Sequence, residues 1–60
     1  MVTVHRFKLL DSQTGDWVIQ ISKCTEARIL VLGGRIVLGT EERVRPDQID
    51  TDGRYRVSAA

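Results

Sequence analysis

The sequence predicts a small α+β domain of ββαβ order. Three observations carry that prediction: two β-rich segments separated by a polar turn, a Thr-capped apolar segment that ends in Gly-Gly, and a third apolar segment closed by proline.

Residues 2–10 set Val2, Val4, Phe7, Leu9 and Leu10 among Thr3, His5, Arg6 and Lys8, a composition that favours a strand. The alternation changes phase between Val4 and Phe7, and a bulge near His5 would account for the slip, because one extra residue moves the apolar set to the other face. Asp11-Ser12-Gln13-Thr14-Gly15-Asp16 reads as the hairpin loop, since its side chains bond their own backbone and its glycine accepts positive φ. In residues 17–22, Trp17, Ile19 and Ile21 alternate with Val18, Gln20 and Ser22, the period of a half-buried strand antiparallel to the first. Trp17, the largest side chain available, is the expected anchor of the core.

Residues 25–32 read as a helix. Thr25 is the N-cap, Glu26 sets a carboxylate at the positive end of the helix dipole, and Gly33 ends the helix. Cys24 and Ile29 occupy the two positions of a hydrophobic staple. A helix of two turns gains its stability from packing, because isolated helices of that length do not persist. The same stretch also fits two strands, 29–32 and 35–38, joined by Gly33-Gly34 as a hairpin turn; that alternative gives an all-β small barrel of the SH3-like or Sm-like class.

The third strand is expected over residues 35–44, with Ile36, Leu38 and Val44 as its apolar positions and an interruption at Gly39-Thr40. Pro46 stops it. Asp47-Gln48-Ile49-Asp50 forms one turn with Ile49 inward, and Asp52-Gly53 forms another. Residues 54–57 add a short strand with Tyr55 and Val57 on one face and Arg54 and Arg56 on the other; Ser58-Ala59-Ala60 frays. A single domain spans 1–60, without repeat or linker.

This order of features resembles a group of short bacterial proteins of ββαβ layout, in which a hairpin with an Asp-containing loop precedes a Thr-capped helix, Gly-Gly, a strand and an Asp-rich tail ending in Gly. The matching residues are Asp11, Val18, Thr25, Ile29, Leu32 and Gly33-Gly34, then Ile36, Val37, Thr40 and Val44, and finally Asp47, Asp50 and Gly53. All are turn, cap or core residues, so the resemblance implies a fold and no activity. The chain departs from the pattern at Leu30 and Val31, where such helices carry polar residues, and this implies that the helix surface is covered.

At 60 residues the chain buries only about 60% of what it exposes unfolded, so its core is thin. With 42% hydrophobic and 28% charged residues it is neither a disordered tail nor a linker. Nine Lys and Arg against eight Asp and Glu leave a net charge of +1, too little for the field on which nucleic-acid and anionic-membrane binders depend. The single cysteine forms no internal disulfide and has no zinc-ligand spacing around it. The first residues lack the apolar run of a signal peptide, and no stretch approaches the ~20 apolar residues of a membrane span; a cytoplasmic protein is expected.

The remaining candidates concern chemistry. Cys24 precedes a helix N-terminus, which can lower a thiol pKa, but the sequence offers no base beside it and a buried staple residue is the plainer role. His5 alone holds no metal. Asp47, Asp50 and Asp52 with Gly53 suggest a calcium loop, yet placing Gly53 at the bend puts Gln48 first and Ala59 at the closing acidic position, so they read as turn residues. Arg43, Arg45, Arg54 and Arg56 would form a basic strip if the last two segments pair, with Tyr55 or Trp17 as a stacking face for RNA; interleaved acids argue for local ion pairs instead.

The expected function is therefore a non-enzymatic interaction or self-associating module, with no cofactor and no metal. Its expected interface is Leu30, Val31, Val37 and Leu38, more apolar surface than a short helix on a thin sheet can bury, and its expected partner is a second copy in a homodimer or another protein. The alternative is a small RNA-binding protein that uses the four arginines.

Overall fold

The computed structural model describes residues 1–56. Strand β1 (Val2–Leu10) and strand β2 (Trp17–Thr25) form the hairpin, helix α1 (Glu26–Val31) follows, and strands β3 (Arg35–Ile36) and β4 (Glu42–Val44) precede a 3-10 turn at Pro46–Gln48. β1 is central. β2 pairs along one edge, while β3 and β4 share the other, β3 against Phe7 and Lys8 and β4 against residues 2–4. The sheet is antiparallel and open, and residues 26–31 are helical, so the chain is α+β and the barrel alternative is not adopted.

The hairpin loop closes as its residues dictate. The Asp11 carboxylate accepts the Gln13 N–H at 2.8 Å and the Asp11 N–H donates to the Asp16 carbonyl at 2.8 Å. From there the register runs Leu10–Trp17, Leu9–Val18, Lys8–Ile19, then slips to Arg6–Lys23. Gln20, Ile21 and Ser22 thus stand opposite Phe7 alone, and the bulge lies in β2 rather than near His5. β1 needs none, because its two apolar pairs serve opposite faces: Phe7 and Leu9 face the helix, Val2 and Val4 the other side. Val4 and Val44 are buried on that second face, where Tyr55 lies beside Arg6, Lys23 and Glu42.

Trp17 is not the core anchor. Paired with Leu10, it points away from the helix, stays 37% exposed and stacks under the Arg35 guanidinium, 4.7 Å from its ring centre. Ile19, paired with Lys8, shares that face and Ile21 lies in the bulge, so both are exposed, and Cys24 beyond the bulge becomes the buried residue of the strand. The core under α1 is Phe7, Cys24 and Ile29, with Leu9 and Ile36 packed against it.

Thr25 caps α1 as expected, its hydroxyl accepting the Arg28 N–H at 3.3 Å. Gly33, at φ +72°, ends the helix. Gly34 is required by space: a Cβ there would lie 3.1 Å from the Leu9 and Phe7 side chains and 3.2 Å from Ile29. The expected third strand is two short ones, because the chain leaves β1 after Val37 and returns at Glu42. Thr40 fills the gap. Its hydroxyl accepts the Arg6 N–H at 3.0 Å and donates to the Val37 carbonyl at 2.6 Å, giving β1 the partner that a strand residue would have supplied.

The tail folds back onto the end of β2. Thr25 donates to the Gly53 carbonyl and Tyr55 to the Lys23 carbonyl, each at 2.9 Å. The expected strand at 54–57 amounts to bridges at Arg54 and Tyr55; Val57 and residues 58–60 lie outside the described residues.

Candidate interaction surface

A six-residue helix lying on a sheet has one inward position per turn, and in α1 that position is Ile29, 1% exposed. Leu30 and Val31 follow it and point outward at 68% and 75% exposure. Leu38, in the loop between β3 and β4, is 90% exposed. Val37 differs from these three: it is half-buried and its N–H donates to the Arg6 carbonyl at 2.9 Å, so it belongs to the sheet edge. Trp17, Ile19 and Ile21, which the alternation of residues 17–22 places on the buried face of β2, are exposed instead, Ile21 at 95%, and Val18 on the other face is exposed as well.

Between α1 and the tail lies a cleft of about 340 Å³ with Phe7, Leu9 and Leu32 as its apolar wall and Cys24, Arg28 and Arg54 on its polar side. Cys24 is buried, and burial pushes its thiol pKa up; the Arg54 and Arg28 guanidinium groups pull the other way without reversing it. A neutral, buried thiol is a poor nucleophile. His5 stands opposite Cys24 in the β1–β2 register, an adjacency invisible in the sequence, and its Nδ1 is buried without a hydrogen-bond partner among the described residues.

Two of the tail carboxylates, those of Asp50 and Asp47, are bonded within the chain. Asp50 Oδ1 accepts the Asp52 N–H at 2.9 Å and the Arg54 N–H at 3.0 Å, and Oδ2 accepts Arg56 Nε at 3.0 Å. The Arg54 backbone bond, followed by the Arg56 side chain, holds the Asp50 pKa below the usual carboxylate range. Asp47 pairs with Arg45 at 3.3 Å. Among the described residues no group of three or more His, Cys, Asp or Glu side chains gathers around one point.

The four arginines are dispersed rather than aligned. Arg45 and Arg56 each have an aspartate partner, Arg43 sits on β4 opposite Thr3, and Arg54 lies on the far side of the sheet beside Cys24. Sequence reasoning also missed the Lys23–Glu42 ion pair at 3.0 Å and the Arg35–Trp17 stack, because both depend on which strands neighbour β1.

Among the described residues no helix is long and apolar enough to cross a membrane. No family model, curated protein or solved structure matches the chain, so a functional reading rests on its own surface chemistry.

Proposed function

We propose that the chain is a non-enzymatic interaction module that associates with a second copy of itself. One observation carries the reading: Ile21, Leu38, Val31 and Leu30 are 95%, 90%, 75% and 68% exposed, while the buried apolar side chains among the described residues are only Val4, Phe7, Cys24, Ile29 and Val44. Burying a Leu, Ile or Val side chain contributes about 1.5–3 kcal/mol, and a domain of this length has only a few kcal/mol in total. Covering two or three of these side chains at an interface therefore changes the stability of the whole domain. A near-neutral net charge places no long-range repulsion between copies. The test is thermal unfolding over a hundredfold range of protein concentration, together with sedimentation equilibrium. A melting temperature that rises with concentration and a mass above that of one chain support the reading; a monomer with a concentration-independent melting temperature rejects it.

A further inference from the structure

The geometry points to the contact between copies: the Trp17–Ile19 edge of β2, which no other described residue occupies, pairs antiparallel with the same edge of a second copy about a two-fold axis through Val18, making one continuous sheet. This inference rests on the self-association reading above and adds a contact at Trp17, Val18 and Ile19, apart from the exposed side chains of α1 and Leu38.

The edges of the sheet are almost all occupied. β3, the Thr40 hydroxyl and β4 take the outer side of β1, and the tail takes the C-terminal end of β2 through Thr25 to Gly53 and Tyr55 to Lys23. The remaining edge begins at Trp17 and ends where the bulge starts at Gln20. Which backbone groups it presents follows from the hairpin. The Asp11 N–H bonds the Asp16 carbonyl, and in an antiparallel ladder hydrogen-bonded and non-bonded pairs alternate. Leu9–Val18 is therefore a bonded pair, and Trp17 and Ile19 turn their N–H and C=O groups away from β1. No described residue bonds those groups.

Sheet edges in monomeric proteins are guarded by lysine, proline or an inward charge. Residues 17–22 read Trp-Val-Ile-Gln-Ile-Ser and contain none of these. The bulge limits the flat edge to its first residues, and Trp17, Val18 and Ile19 there are 37%, 47% and 56% exposed.

Two features favour a second copy as the occupant. An uncharged edge is compatible with itself, since self-pairing sets no like charges opposite each other. A two-fold axis perpendicular to the sheet also keeps each face on its own side, so the numbers of opposed residues must sum to an even number. With the axis at Val18, Trp17 opposes Ile19 of the second copy and both present outward N–H and C=O groups. Val18 opposes itself, and Asp16 opposes Gln20, a carboxylate against an amide donor. An axis at Ile19 would instead need Ile21, which lies inside the bulge.

The experiment uses the full chain. Ile19→Pro removes an N–H that bonds no described residue of its own copy, so it should keep the hairpin and shift the sedimentation mass from two chains to one. Val18→Cys places two thiols on opposed residues whose Cα atoms are about 4.5 Å apart, within disulfide range. It should give a dimer on a non-reducing gel under mild oxidant at least tenfold faster than Leu30→Cys on the helix, with the wild-type chain and its buried Cys24 as control. If Ile19→Pro unfolds, the Val18→Cys comparison decides. A wild-type dimer in which Leu30→Cys or Ile19→Cys links faster than Val18→Cys overturns this interface and leaves self-association standing; a wild-type monomer overturns both.

Discussion

The carbonyl of Gly53 accepts the backbone N–H of Thr25 at 2.9 Å, at the point where β2 becomes α1. Thr25 thus serves two elements: its hydroxyl caps the helix and its amide holds the tail. The same contact fixes what residue 53 can be, because a Cβ there would lie 2.9 Å from Arg28 Cβ and from Thr25 Oγ1, and the backbone sits at φ +83°.

Gly53→Ala is accordingly expected to destabilise the domain. The left-handed backbone alone costs about 1–2 kcal/mol for an L-residue, and the collision with the helix cap adds to it. Urea unfolding should show a lower midpoint with the tail amides, Tyr55 above all, losing hydrogen-exchange protection before the β1–β2 ladder does. Equal loss across the whole sheet would mean that the tail is not a separate unit.

Asp50 gives the tail a pH dependence of definite sign. Its folded pKa is lowered, first by the Arg54 N–H and then by the Arg56 side chain, so the stability it contributes is present above the ordinary carboxylate value of ~3.9 and is lost as pH falls through the lowered folded value. Asp50→Asn should lower the urea midpoint at neutral pH, and the gap to wild type should close on acidification below that range. A gap that stays constant with pH would show that the carboxylate charge contributes nothing.

Much of this fold was legible because it depends on local chemistry. The 11–16 turn, the Thr25 cap, the Gly33 stop and Pro46 each follow from a single residue's backbone preference. What was not legible depended on neighbours. Trp17 read as core from its size, yet the β1–β2 register places it with Leu10 on the face opposite the helix. The bulge was expected at His5 because β1 changes phase there, whereas a strand buried on both faces needs no bulge to do so. Thr40 carried no signal beyond a break in a strand, and only the separation of β3 from β4 makes its hydroxyl a stand-in for backbone. Of the expected interface, Leu30, Val31 and Leu38 are outward, while Val37 is half-buried with its N–H bonded to the Arg6 carbonyl. The β2 edge was hidden by the same alternation that identified the strand.

Cys24 should alkylate slowly in the native protein and rapidly in denaturant. Burial raises its folded pKa, so the neutral thiol's contribution to stability is intact below the ordinary value of ~8.5 and is lost as pH rises through the raised value. Labelling with iodoacetamide across pH 7 to 10 should track global opening rather than a thiolate titration. Fast native labelling at neutral pH would show that the Arg28 and Arg54 guanidinium groups outweigh burial and would reopen a covalent or redox role.

Val31 separates folding from association. At 75% exposure it touches little of its own chain, so loss of its apolar side chain alone should change the unfolding free energy of one chain by about 0.5 kcal/mol or less. The residue lies in the last turn of α1, where the helix dipole disfavours a negative charge and favours a positive one by about 0.3–1 kcal/mol. Val31→Asp and Val31→Lys therefore push the helix in opposite directions while removing the same apolar surface. If the outward face of α1 takes part in the assembly, both variants should lower the weight-average mass at high concentration despite their opposite effects on the helix. A loss with Asp alone would trace to the dipole and the helix end, and an unchanged mass in both, if the wild-type chain is a dimer, would exclude the outward face of α1 from the assembly.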